Sequence, residues 1–336
     1  MSETPENQTK QRRRWLLPTA ASLFVIAVAC AGGAWLGWQR YVGPGPLTAD
    51  TPVVIPRGTG VQGIAQRLVD AGVVGHPLEL VIASRLRGDG ARLRAGEYLF
   101  PAGISVKDAL DLIISGKVIV HRVTVPEGLT SWQIVERLRS ERALSGDVTD
   151  IPADGTLLPE TYQYLRDDAR ADILSRMSDD MEKALDRLWA DRDPNLPLKS
   201  KQEAVILASI VEKETGVASE RPRVAGVFVN RLRIGMRLQS DPTIIYALSD
   251  RRGQIDRDLT RADWKLESPY NTYVVPGLPP GPIANPGLLS LQAVLKPEAH
   301  KYIYFVADGT GGHAFAETLE EHNRNVVKWR RVRDGD

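Results

Sequence analysis

One apolar stretch near the start of the chain constrains its organisation more than any other feature. Residues 15–38 contain no charged side chain over 24 positions. At about 1.5 Å per residue, a helix of this length crosses a hydrocarbon core of about 30 Å. Basic residues precede the stretch and aromatic residues lie at its two ends, as in membrane-spanning helices: Lys10, Arg12, Arg13 and Arg14, then Trp15, Trp35, Trp38 and Tyr41. The sequence therefore predicts one transmembrane helix over residues 15–38, with a cytoplasmic stub of residues 1–14.

A cleaved signal peptide is the competing interpretation, because small residues occur inside the stretch: Ala27, Ala29, Ala31 and Ala34. However, the stretch is longer than the apolar core of about 7–15 residues that signal peptides carry, and a cleavage site is hard to place. The one cysteine, Cys30, lies inside the stretch, so the part outside has none, which suits an oxidising compartment. We therefore expect a single-pass membrane protein, with its N-terminus cytoplasmic and the rest of the chain outside the cytoplasm.

Composition excludes several classes of protein. Lys and Arg number 43 against 42 Asp and Glu, so the net charge of +1 gives no basis for a nucleic-acid partner. An apolar share of 43% and a charged share of 25% are typical of a globular chain and not of a disordered one. A single cysteine can form neither an internal disulfide nor a cysteine-based zinc site.

A strand–turn–helix pattern recurs three times after the apolar stretch. The three turns are Pro56-Arg57-Gly58, Pro101-Ala102-Gly103 and Pro126-Glu127-Gly128. Proline fixes φ, glycine opens the turn, and a hydroxyl side chain shortly afterwards can cap the helix: Thr59, Ser105 or Thr130. Such units recur in many α/β folds, but three within about 80 residues favour a small module, which on a wall-facing protein could bind glycan.

The length and the breaks in the apolar pattern predict the remaining organisation. The 336 residues indicate roughly two domains, at about 150 residues each. We predict an α+β fold with the transmembrane helix, a linker over residues 39–52, a small βα module over residues 53–145 and a mixed α+β domain over residues 146–333. Within the last domain, residues 170–190 have the spacing of an amphipathic helix.

A helix predicted to end at Glu214 carries the most informative side chain. Ser200 and Glu203 have the spacing of a capping box at its start, and Gly216 is placed to stop it. At about 100° per residue, Glu214 falls in the apolar arc of the helix and Glu212 points roughly the opposite way. A carboxyl on a core-facing arc is costly unless it is paired or useful, and desolvation would raise its pKa, as a general acid requires. An ion pair with Lys or Arg is the structural alternative for Glu214.

Polar side chains cluster in the loops downstream of this helix. The candidates for substrate binding are Asn230 near the end of a second helix, Gln239 and Asp241 in the next loop, and Tyr270 and Asn271 before a segment rich in proline and glycine. Such a rigid loop can form the wall of a sugar site or can be an ordinary connector.

Two other kinds of site have weaker support. His313, His322 and the glutamates near them do not have the spacing of metal ligands, so we expect no metal site. The glycine-rich residues 308–312 lack the lysine of a phosphate-binding loop and lie between two predicted strands, which favours a hairpin turn.

Short segments along nearly the whole chain match one known family. They are residues 126–130, 208–215, 227–232, 238–243, 270–273, 277–283 and 304–309, followed by His313 and His322-Asn323. In this order they resemble the endolytic murein transglycosylase family (YceG-like, MltG). The resemblance implies that the small module is LysM-like and that Glu214, the second glutamate of Glu212-Lys213-Glu214-Thr215, is catalytic. Glu160 stands where the family usually has Asp, which leaves the catalytic assignment unaffected.

The function that the resemblance implies is endolytic peptidoglycan lytic transglycosylation, a lyase reaction. It cuts the β-1,4 bond between N-acetylmuramic acid (MurNAc) and N-acetylglucosamine (GlcNAc) within nascent strands and so terminates their elongation. Glu214 would protonate the leaving oxygen and then, as a carboxylate, take the proton of the 6-hydroxyl of the same MurNAc, which closes a 1,6-anhydroMurNAc end. This chemistry needs no cofactor. Expected partners are peptidoglycan glycan strands, peptidoglycan synthases of the elongation or division machinery, and the inner membrane.

Two alternatives remain open from the sequence. A hydrolase would use two carboxylates, for which Asp241 is the only second candidate in a neighbouring motif, and would leave reducing ends. A non-catalytic peptidoglycan-binding scaffold of the synthesis machinery would bind glycan without Glu214 and would form no anhydro product.

Overall fold

The computed structural model describes residues 6–334, and for residues 6–21 it describes the course of the backbone alone. Residues 1–5 of the predicted stub therefore lie outside the described residues. The chain forms two compact units, of which the first ends at Val120 and the second begins at His121. The domain limits given by the sequence stay a prediction.

A single long helix, α1 (Glu6–Val42), opens the chain. Its part from Ser22 to Val42 is long and apolar enough to cross a membrane, and no other helix among the described residues is. Large apolar side chains in this part, such as Leu23, Phe24 and Trp35, are exposed. A helix of this kind fits a single-pass membrane anchor.

After α1, the first unit is built from two strands and three helices. They are β1 (Thr51–Ile55), α2 (Val61–Asp70), α3 (Pro77–Arg87), β2 (Gly96–Phe100) and α4 (Val106–Ser115). The two strands pair antiparallel, with Thr51 opposite Phe100. The alternation of buried and exposed residues in the strands and the apolar faces of the helices close one core around Leu68, Tyr98 and Leu110.

The predicted strand–turn–helix units are present at all three positions. The glycine of each turn, Gly58, Gly103 and Gly128, has a positive φ of 68–80°, which glycine adopts without steric cost. The hydroxyls of Ser105 and Thr130 cap the helices that follow. The expectation for Thr59 is wrong, because α2 begins after Gly60 and the Thr59 hydroxyl donates to the Pro56 carbonyl instead (2.8 Å).

The second unit is mixed α+β, as predicted. Its elements are β3 (His121–Thr124), α5 (Ser131–Ser140), β4 (Thr161–Tyr164), α6 (Arg170–Ala190), α7 (Lys201–Glu214), α8 (Arg221–Arg233), α9 (Asp241–Leu248), α10 (Leu288–Leu295), β5 (Tyr304–Ala307), β6 (His313–Ala316) and α11 (Leu319–Asp334). β3 pairs antiparallel with β4, and β5 and β6 form the expected hairpin.

Helix α7 is the central helix of this unit. Every residue from Ala204 to Val211 is buried, because α8, α9 and α10 all pack against α7. At its start the Ser200 hydroxyl accepts the Glu203 N–H, but the Glu203 carboxylate accepts from the Lys199 N–H, so only half of the predicted capping box forms. The rigid core helix thus fixes the position of its last residue, Glu214.

Candidate active site

Glu214 ends α7, and its side chain is half-buried among polar groups of the second unit. Its Oε1 accepts a hydrogen bond of 2.5 Å from the Ser240 hydroxyl. Burial raises the pKa of Glu214 to about 7, and the negative charge of Asp241 acts in the same direction. The Ser240 hydrogen bond and the positive charges of His313 and Arg231 act against this rise. The carboxyl is therefore poised to exchange a proton near neutral pH, which a general acid and base requires.

Glu212, two residues earlier, has a different environment. Its side chain is only 5% exposed and pairs with Arg221 at 2.9 Å, while its second oxygen accepts the Gly287 N–H at 2.9 Å. Arg221 also contacts Glu127 of the third turn at 3.1 Å. The ion pair that the sequence left open for Glu214 is thus formed by Glu212, and Glu214 has no ion pair among the described residues.

The loop that carries Ser240 is held by backbone and hydroxyl contacts. Gln239 adopts a left-handed backbone with φ of 51°, and its N–H donates to the Thr272 carbonyl. The Ser240 N–H donates to the Thr272 hydroxyl at 2.9 Å. The buried Arg231 guanidinium donates to the Leu238 carbonyl. This geometry aims the Ser240 hydroxyl at Glu214 and brings Gln239 to the site through its backbone.

Asp241 is the first residue of α9, where the sequence predicted a loop. Its Oδ1 accepts hydrogen bonds from the Tyr273 hydroxyl at 2.7 Å and from the Trp264 indole N–H at 3.1 Å. Burial and the neighbouring Asp241 raise the pKa of Tyr273, so the phenol remains a donor. Asp241 is therefore a fixed acceptor beside Glu214.

Two predicted binding residues are occupied by internal hydrogen bonds. The Asn230 amide donates to the carbonyls of His300 (2.8 Å) and Tyr302 (3.1 Å). Asn271 is fully buried and its amide donates to the carbonyls of Trp264 and Leu266. Both amides fasten the loops that surround the site.

Tyr270 lies in a different place, at a cavity of about 880 Å³ in the same unit. Its ring packs against Tyr246 with centroids 4.9 Å apart, and both rings line the cavity. Glu214 and Asp241 are not among the lining residues. The structure thus brings Glu214, Gln239 and Asp241 together, and places Tyr270 at a neighbouring feature.

Ser240 and Arg231 contribute to the site although the sequence did not single them out. Ser240 and Arg231 lie within the recognised motifs, and this position in the sequence was the only available signal for them. His313, considered from the sequence as a metal ligand and within the family resemblance, lies close enough to Glu214 to lower the pKa of that carboxyl. The Glu220 carboxylate accepts the His313 backbone N–H (3.0 Å) and contacts its Nδ1 (2.7 Å). His322 stacks on Tyr304 instead. Among the described residues no cluster of His, Cys, Asp and Glu could hold a metal ion.

Comparison with known proteins gives the family. The model of the YceG-like family matches residues 53–328, and the chain therefore belongs to the YceG-like family. The endolytic murein transglycosylase of Bacillus subtilis (strain 168) is 30% identical over 332 residues, which cover 89% of this chain and 90% of that protein. The endolytic murein transglycosylase of Streptococcus pneumoniae (strain R6) is 29% identical and is covered over 64% of its length.

A solved structure shares the fold. The crystal structure of a YceG-like protein from Listeria monocytogenes matches with a TM-score of 0.52 and 29% sequence identity. The match covers 82% of this chain and 98% of the Listeria chain.

Proposed function

We propose that this chain is an endolytic murein transglycosylase, a lyase that cuts peptidoglycan strands internally. Membership of the YceG-like family and the names of the Bacillus and Streptococcus relatives support this activity. The observation that carries the mechanism is the half-buried carboxyl of Glu214, which has a pKa of about 7 and no neighbouring cation in direct contact.

The proposed reaction begins with Glu214 protonated. Its proton passes to the glycosidic oxygen as the bond between C1 of MurNAc and GlcNAc breaks, and the carboxyl becomes a carboxylate. The 6-hydroxyl of the same MurNAc then attacks C1, and its proton returns to Glu214 as the 1,6-anhydro ring closes. Atoms and protons balance without water, so one carboxyl group suffices where a hydrolase would use two.

Ser240 gives this carboxyl an orientation. Because its hydroxyl donates to Oε1 of Glu214, the acid proton of Glu214 is carried by Oε2, the oxygen left for the substrate. When Glu214 loses that proton, the Ser240 hydrogen bond becomes charge-assisted and stabilises the carboxylate. Asp241, held by Tyr273 and Trp264, is a fixed acceptor for a sugar hydroxyl. We place Gln239 and Tyr270 in the proposed binding surface. Asn230 and Asn271 belong to the proposed site as residues that hold its loops.

The proposal also covers location and context. The apolar helix Ser22–Val42 would anchor the enzyme in the inner membrane with its N-terminus cytoplasmic and its catalytic domain periplasmic. The βα units of the first half would be a LysM-like module for glycan. Peptidoglycan synthases that produce the nascent strands would be the partners.

Product analysis on uncrosslinked glycan strands tests the proposal. We expect the native protein to shorten the strands and to leave 1,6-anhydroMurNAc ends, one water lighter by mass spectrometry than reducing ends. We expect Glu214→Gln to stay folded and to form none. Reducing ends would identify a hydrolase, and strand binding without any cleavage by the native protein would identify a scaffold.

A further inference from the structure

The cavity that Tyr270 and Tyr246 line has the dimensions of a ligand site. Its volume of about 880 Å³ lies within the range of about 300–1,000 Å³ that small-molecule sites have. It lies between the start of α5, the middle of α6, the start of α7 and the end of α9, all in the second unit. The site chemistry at Glu214 does not use it.

The inner wall of the cavity is built rigidly. Asp154 accepts the Tyr246 hydroxyl at 2.5 Å and the Ser131 N–H at 2.6 Å, which ties α9 to the start of α5. Gly155 has a φ of 79°, and a Cβ there would lie 2.6 Å from Pro282 and from Val205. Because the residues behind this wall are closely packed and hydrogen-bonded, they keep the cavity open and do not collapse into it.

Charges of both signs surround the opening. Glu182 and Asp250 provide carboxylates and Arg251 and Arg252 provide guanidiniums, and none of the four has an ion-pair partner among the described residues. The Arg252 guanidinium lies over the Trp132 ring, 5.2 Å from its centroid. Asp250 and Arg251 both have a left-handed backbone, with φ of 49° and 66°, which is uncommon for two adjacent residues with side chains. A cavity with an apolar interior and with charges of both signs around its opening suits a short zwitterionic peptide better than a neutral sugar.

The cavity is within reach of the sugar that Glu214 would cut. Helix α9 begins at Asp241, beside the Ser240–Glu214 hydrogen bond, and Tyr246 follows five residues later. At about 1.5 Å per residue, this places the cavity wall about 8 Å along α9 from Asp241. A peptide of about four residues extends up to about 14 Å.

We propose that this cavity binds the short peptide that branches from MurNAc while the MurNAc itself lies at Glu214, a proposal that rests on the proposed function. The peptide's carboxylates would face Arg251 and Arg252, and its ammonium group would face Glu182 and Asp250. The cavity would thereby select strands that still carry their peptides.

The test compares two substrates that differ only in the peptide. The full chain in detergent cuts uncrosslinked strands that carry peptides, and the same strands after an amidase has removed them. The test variants Arg252→Ala and Glu182→Gln each remove one rim charge. Each has a matched control outside the cavity: Arg192→Ala removes a guanidinium that lies over Trp189 at 4.1 Å, and Asp179→Asn removes a charge from the same helix as Glu182.

We expect native kcat/KM to be about tenfold higher on peptide-bearing strands, as one or two engaged charges would give. The two test variants should lower this ratio at least about threefold and the controls should preserve it. A native ratio near one, or an equal loss on both substrates, would overturn the proposal, and the equal loss would indicate a sugar subsite.

A binding measurement separates this proposal from the proposed function. Two proteins, the single variant Glu214→Gln and the double variant Glu214→Gln/Arg252→Ala, are each titrated calorimetrically with the free peptide that branches from MurNAc. If the single variant binds the peptide and the double variant binds it more weakly, the peptide site is supported even if no strand is ever cut. No binding, or binding that the added substitution leaves unchanged, overturns the proposal whatever the outcome for catalysis.

Discussion

Replacing Glu214 with glutamine should stabilise the protein at alkaline pH while it removes activity. The native fold half-buries this carboxyl beside Ser240 and Asp241, where its pKa is about 7 against an ordinary value of 4.5. Below pH 4.5 the group is protonated in the folded and unfolded states alike, so its burial carries no charge penalty. Above pH 7 it is ionised in both states, and only the folded state bears the cost of a buried carboxylate.

The size of the effect follows from the difference in pKa. A shift of 2.5 units, at about 1.36 kcal/mol per unit, corresponds to about 3 kcal/mol of folding free energy. Because the folded-state pKa of this acid is raised, its contribution to stability is lost as the pH rises from 4.5 through 7. Glutamine does not titrate and lacks this loss.

Urea unfolding at pH 4 and at pH 8, followed by tryptophan fluorescence, measures the effect as a difference of differences. The free energy of unfolding of Glu214→Gln relative to the native chain should be higher by about 3 kcal/mol at pH 8 than at pH 4. Ser209→Ala removes a buried hydroxyl from the same helix and should cost the same at both pH values. A Glu214→Gln difference that does not change with pH, or that changes in the opposite direction, would refute the assignment of a raised pKa.

Three further substitutions test the surroundings of Glu214 and the fold. Ser240→Ala removes a hydrogen bond that lowers the pKa of Glu214, so the alkaline limb of the pH profile of kcat/KM should move up by about one to two units; an unmoved limb would contradict this. Glu212→Gln leaves the buried Arg221 without its closest carboxylate and should lower the free energy of unfolding in urea by about 3 kcal/mol. A loss of less than about 1 kcal/mol would show that this ion pair does not stabilise the fold. Thr130→Ala removes the cap of α5 and should cost about 1 kcal/mol, where no change in the unfolding midpoint would argue against the cap.

Local chemistry made much of the fold predictable. The turn glycines and the caps at Ser105, Thr130 and Ser200 depend on neighbours within a few residues, and the structure shows each of them. Helix α7 also ends at Glu214 as predicted, but through an extended Thr215 and not through a left-handed Gly216. Helical spacing predicted that Glu212 points away from the core, but its side chain is only 5% exposed, because Arg221 and the Gly287 N–H enclose it. Local geometry therefore did not separate the two glutamates by burial, and only their partners distinguish them. Thr59 was misjudged because α2 starts one residue later than its spacing suggested.

The surroundings of the site could not be predicted in the same way, because distant segments build them. Asn230 donates to carbonyls about 70 residues away, and nothing near it in the sequence distinguishes such a partner from a sugar. Ser240 meets Glu214 across 26 positions and His313 meets Glu220 across 93. Sequence patterns identified the polar loops, but which polar atoms remain free for a ligand depends on tertiary packing.

The most direct test of the central claim, that Glu214 transfers protons in a reaction without water, is cleavage in water labelled with a heavy oxygen isotope. The native chain acts on uncrosslinked strands in this solvent, and mass spectrometry examines every newly formed MurNAc end. The account predicts 1,6-anhydro ends with no solvent oxygen, and no new ends from Glu214→Gln. Labelled reducing ends, or undiminished cleavage by Glu214→Gln, would contradict it.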